Sequence, residues 1–74
     1  MNHILTQAMC FAAGRDAGNR SMRKAGRTVW AQADYNAACA EYKRLLPFAN
    51  CNYTVGAANY ELKKRGDKGV QSAG

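Results

Sequence analysis

Residues 28–47, TVWAQADYNAACAEYKRLLP, decide the fold class. Tyr35, Ala38, Cys39, Tyr42, Leu45 and Leu46 fall at i, i+3, i+4, i+7, i+10 and i+11. That is one face of a helix held over three turns, while Gln32, Asn36, Glu41 and Lys43 lie off it. Thr28 is placed to cap the start, with Trp30 in the first turn. Pro47 is expected to end the helix, because the residue before a proline is pushed out of helical geometry. The pattern predicts a helix over 29–46 whose apolar stripe faces a core.

Outward toward the N-terminus, Ile4, Ala8, Phe11 and Arg15 share a face, with Leu5, Met9 and Ala12 beside them. Phe11, Gly14, Gly18, Met22 and Ala25 continue a helical stripe, so a first helix is expected over about 3–25. Each glycine inside a helix costs about 1 kcal/mol relative to alanine. Close approach of a neighbouring helix at Gly14 and Gly18 is one offset. A break near Gly18, with Asn19 or Ser21 capping a second piece, is the preferred alternative, and Gly26 is a natural stop. Outward toward the C-terminus, Asn50 and Asn52 mark a loop over 48–53. Thr54 caps a third helix over 55–65, in which Val55, Ala58 and Leu62 share a face. Lys63, Lys64 and Arg65 fill its last turn, where the helix dipole favours cations, and Gly66 closes it. The reading is an all-α domain over 1–66 with a disordered polar tail over 67–74. Its expected core holds Leu5, Phe11, Trp30, Tyr35, Cys39, Tyr42, Leu46 and Leu62.

The 74 residues allow one domain with a thin core. Apolar content of 47% is that of a globular chain rather than a disordered one. Cys10, Cys39 and Cys51 are odd in number and widely spaced, so they form neither a disulfide framework nor a zinc site. They read as reduced thiols in a cytoplasmic protein. No signal peptide or membrane-spanning segment is recognisable, so no membrane association is expected. His3 is the sole histidine, and Asp16, Asp34, Glu41, Glu61 and Asp67 are scattered. Neither a nucleophile–base pair nor a phosphate-binding glycine loop is present, so no catalysis, metal or cofactor is expected.

Charge is the informative feature. The net charge is +6, and the cations cluster. Arg15, Arg20, Arg23, Lys24 and Arg27 stand against Asp16 alone. Lys63, Lys64, Arg65 and Lys68 stand against Asp67. On a helix, Arg20, Arg23, Lys24 and Arg27 fall at i, i+3, i+4 and i+7, a stripe of one sign. Solvated faces usually mix signs, so such a stripe suits an acidic protein surface or nucleic acid. Guanidinium groups bind carboxylate and phosphate alike, so the stripe does not choose between them. A helix-turn-helix reading, with 55–65 as recognition helix, is a lesser alternative, because the helix before it is too long and the loop over 47–53 exceeds the usual 3–4-residue turn. The expected partner-binding residues are Arg15, Arg20, Arg23, Lys24, Arg27, Lys63, Lys64 and Arg65.

The run from Ala13 to Trp30, AGRDAGNRSMRKAGRTVW, followed by DYNAACAEY over 34–42, resembles small accessory proteins encoded by tailed bacteriophages. Size, basic charge and cysteine count are similar to those of phage transcription regulators that bind host RNA polymerase. The resemblance implies a non-enzymatic monomer in the host cytoplasm. Such a protein would bind polymerase, inhibit host initiation and promote antitermination. It carries over no residue assignments. Direct nucleic-acid binding, or inhibition of a host nuclease complex by an anti-defence protein, would call for the same basic features.

Overall fold

A computed structural model describes residues 3–70. The protein is all-α, with α1 at Gln7–Lys24, α2 at Gln32–Asn50 and α3 at Val55–Lys64. Among the described residues there is no strand, and no helix is long and apolar enough to cross a membrane.

Each boundary has a local cause. Thr6 Oγ1 accepts from the Met9 N–H at 3.1 Å and starts α1. Residues 3–5 lie outside that helix because their backbone is paired elsewhere. Leu5 N–H donates to Tyr53 O at 2.8 Å, and Val55 N–H donates to His3 O at 2.8 Å. Thr54 Oγ1 accepts from Ala57 N–H at 3.1 Å and starts α3, as its sequence predicts. Gly66, at φ +78°, follows α3 in the left-handed conformation that closes a helix.

Two expectations for α1 and α2 are corrected. First, α1 runs unbroken through Gly14 and Gly18, because both glycines serve close packing. A Cβ on Gly14 would lie 2.8 Å from the Ala38 carbonyl oxygen, and one on Gly18 would lie 2.4 Å from the Trp30 ring. Second, α2 starts three residues later than expected and continues past Pro47. Thr28 does not cap it. Asp34 Oδ2 instead accepts from the Ala31 N–H at 2.8 Å, the reach-back half of a capping box. At the other end, a proline inside a helix costs on the order of 3 kcal/mol. Burial of Phe48, worth about 1.5–3 kcal/mol, together with Ala49, offsets it and holds the last turn helical.

The core is also displaced from its expected place. Leu5, Cys10 and Ala13 pack with Leu45, Phe48 and Ala49 of α2, and α3 closes the cluster with Ala58 and Leu62. Of the expected core, Leu5 and Leu62 are buried. Trp30, Tyr42 and Leu46 are half-buried, Cys39 is exposed, and Phe11 and Tyr35 are 65% and 54% exposed. The buried face of α2 is instead Asp34, Glu41, Leu45, Phe48 and Ala49. Glu41 was expected off the apolar face, but arginines neutralise both acids and both are buried. Arg27 pairs with Asp34, and Arg44 donates to Glu41 through Nε at 3.0 Å and Nη2 at 2.8 Å.

Residues 67–70, expected within a disordered tail, are tied to the helices. Arg44 Nη1 donates to Lys68 O at 2.8 Å, and Val70 N–H donates to Asn59 Oδ1 at 2.6 Å. Val70 packs against the core. The rest of the expected tail, 71–74, lies outside the described residues.

Candidate functional site

The aromatic residues that the core leaves out line an open groove of about 750 Å³ between α1 and α2. Its floor contains Gly14 and Ala38, small residues that set the two helices close together. Phe11 of α1 and Tyr42 of α2 meet edge-to-face at 6.5 Å, and Trp30 and Tyr35 do so at 5.0 Å. Edge-to-face geometry is the favoured one for aromatic pairs, so the walls support each other. Trp30 reaches the groove because Gly18 leaves room beneath its ring, and its Nε1–H donates to Asn19 Oδ1 at 2.9 Å.

The groove forms because α3 is only ten residues long and sits on the opposite face of the α1–α2 pair, over Leu45 and Phe48. Arg15 of α1 and Lys43 of α2 also line it, both exposed, and no acid does. Neither cation has an ion-pair partner among the described residues. Exposed apolar patches of this kind mark interaction sites, and Trp, Tyr and Arg are the residue types that dominate binding hot spots.

The expected cationic stripe is interrupted. Arg20 is half-buried on α1, and Arg23 and Lys24 are exposed in its last turn. Arg27 does not continue the row, because α1 ends at Lys24 and the chain turns at Gly26, φ +73°. Its guanidinium is committed to the fold. Arg27 Nη1 and Nη2 both donate to the buried Asp34 carboxylate, Nη2 at 3.1 Å to Oδ1, and Ser21 Oγ donates to the same oxygen at 2.7 Å. Arg27, chiefly, and then the Ala31 N–H and Ser21 hydroxyl hold Asp34 down to about 2, against the upward pull of burial. Burial pushes the Cys10 thiol up, away from reactivity.

The second cluster lies at the far end of α2. Lys64 Nζ sits 5.7 Å from the Tyr60 ring, and the Arg65 guanidinium 5.6 Å from the Phe48 ring. Lys63 is exposed beside them. Asp34, next to the end of α1, and Phe48 are separated by fourteen residues of helix, about 21 Å. The two clusters are therefore separate patches.

Sequence reasoning missed the groove because a stripe of aromatics at helical spacing reads as core. The signal that could have found it was the second periodicity of α2, with Asp34 and Glu41 seven residues apart on the face of Leu45 and Phe48. Among the described residues, no three side chains converge to hold a metal ion. Compared with known proteins, the chain matches no family model, no curated protein and no solved structure.

Proposed function

We propose that this chain is a phage-encoded regulator that acts by contact. It binds host RNA polymerase, inhibits initiation at host promoters and promotes antitermination, without turnover or a cofactor, as a monomer in the host cytoplasm. The observation that carries the reading is the aromatic groove with Arg15 and Lys43 at its edge. A chain that works by occupying a protein surface needs apolar anchors for affinity and charge for steering. The sequence resemblance to small phage proteins supplies the partner. The test is retention of RNA polymerase subunits by the immobilised full chain from a nuclease-treated bacterial lysate, followed by promoter-dependent transcription with purified polymerase. Subunits retained after nuclease, with initiation reduced, are expected. Recovery only before nuclease, or none, overturns the reading.

One observation favours a second reading, direct nucleic-acid binding. Tyr60, 65% exposed, stands beside Lys63, Lys64 and Arg65, a base-stacking surface next to phosphate-binding cations. Affinity for an oligonucleotide that falls linearly with log salt, by about −0.9 per neutralised phosphate in duplex DNA, distinguishes it.

A further inference from the structure

We propose that the α1–α2 groove receives an amphipathic α-helix of a partner protein, apolar on the face it buries and acidic along both flanks. This rests on the reading above that the groove is the contact surface, and it specifies what enters.

The occupant is a helix because the groove offers no backbone pairing. All of its lining residues but Trp30 belong to two helices whose N–H and C=O groups are bonded internally, and Trp30, from the connecting segment, adds its ring to the wall. The Asn19 side-chain oxygen accepts from Trp30 Nε1–H, and one side-chain amide cannot pair the successive main-chain groups of an extended segment. The one strand-like pairing among the described residues, Ile4 with Thr54, adjoins Leu5 and Val55 in the α3-covered core. An extended segment buried here would leave its main-chain groups without partners, whereas a helix carries its own hydrogen bonds into the apolar site.

The dimensions agree. From Phe11 to Asn19 the groove follows α1 for eight residues, about 12 Å. Apolar residues at i, i+3 or i+4, and i+7 of a docked helix span about 10.5 Å, so three anchors fit between the Phe11–Tyr42 and Trp30–Tyr35 pairs. Gly14 and Ala38 let α1 and α2 meet closely at the floor, so the groove stays shallow and open between the two aromatic pairs.

The charge pattern selects the flanks. Arg15 belongs to one wall and Lys43 to the other, so a helix lying between them meets on each side a cation with no ion-pair partner among the described residues. Carboxylates one step off its apolar face would pair with both. A second copy of this chain is disfavoured as occupant, because two molecules of +6 repel each other.

The test uses the full chain and a display library of random peptides about 16 residues long, enough for a short helix to form on binding. Selected peptides are synthesised and titrated while following the emission of Trp30, the only tryptophan and part of the groove wall. Peptides with apolar residues at i, i+3/i+4 and i+7, flanked by Asp or Glu, are expected. They should gain helical circular dichroism on binding and shift Trp30 emission. Phe11→Ser, at a residue 65% exposed, should keep the fold and weaken their binding at least tenfold. The Arg15→Glu, Lys43→Glu double variant should favour basic over acidic flanks. Selection of extended or basic peptides, no selection at all, or binding indifferent to Phe11→Ser overturns the proposal. So does self-association that sedimentation detects and Phe11→Ser abolishes. Failure of polymerase capture with intact peptide binding would remove the partner and leave the groove. Polymerase capture unchanged by Phe11→Ser would do the reverse.

Discussion

Gly14→Ala sets two effects of known size against each other. Alanine stabilises a helix interior by about 1 kcal/mol relative to glycine, so α1 alone would gain that much. The added Cβ would lie 2.8 Å from the Ala38 carbonyl oxygen and 3.4 Å from Tyr42 Cβ. The first distance falls about 0.6 Å short of an ordinary contact, which starts at 3.4 Å. The obstructing atom is backbone, so no rotamer change relieves it, and α1 and α2 must move apart. Overpacking of this kind costs about 1–3 kcal/mol, and the rigid backbone places this case at the upper end. The net expectation is a loss of about 1–2 kcal/mol. In a domain of this size 1 kcal/mol moves Tm by roughly 4–8 °C, so Tm should fall by about 5–15 °C. Thermal unfolding followed by far-UV circular dichroism measures it. Gly18→Ala is the internal comparison. Its clash is with the far end of the half-exposed Trp30 ring, which can swing outward. It should cost less stability and move Trp30 emission to the red as the bond to Asn19 is lost. A Gly14→Ala protein as stable as the parent, or more so, would refute the close helix contact.

Asp34, held at about 2 against an ordinary 3.8, contributes stability that is complete above pH about 4 and is lost as pH falls through about 2. Acid unfolding should show this window, and Asp34→Asn should flatten it. Arg27→Glu would set a second carboxylate against buried Asp34 and should abolish cooperative unfolding, whereas Arg23→Glu should change Tm by less than a few degrees. Charge reversals that probe binding therefore avoid Arg27. Arg44→Met leaves Glu41 buried without its partner and releases Lys68 O. It should cost about 2–3 kcal/mol, below the 3–5 of fully buried pairs because the Arg44 side chain is 18% exposed. Hydrogen exchange at Val70 N–H should accelerate in the same variant.

The cap and the stop of α3 were legible because they are local. Thr54 starts α3 through an amide three residues away, and Gly66 ends it through its own backbone conformation. Pro47 misled for a tertiary reason, since its helix-breaking tendency is opposed by the burial of Phe48 and Ala49. Arg27 misled for a similar one. Its spacing from Arg23 and Lys24 is that of a helical row, but the chain turns before it and its partner, Asp34, lies seven residues on in α2. Arg15 was expected at the interface for its charge. What makes it part of a site is Lys43 on the other wall, and no helical spacing joins those two.

By itself the sequence determined that the chain is all-α, roughly where its three helices lie, and that its surface is basic. Those properties follow from periodicity, capping chemistry and charge count, which act within a few residues or add over the whole chain. Only the tertiary structure decided which face of α2 is inside. The stripe Tyr35, Ala38, Cys39 and Tyr42 is as regular as any core face, and hydrophobic spacing records which residues share a side, not what covers that side. Arg27, across the α1–α2 turn, and Arg44, one helical turn on, neutralise Asp34 and Glu41. That lets the face bearing these two acids turn inward with Leu45 and Phe48 beneath α3. The ten residues of α3 cover one side of the α1–α2 pair and no more, so the aromatic side remains open as the groove.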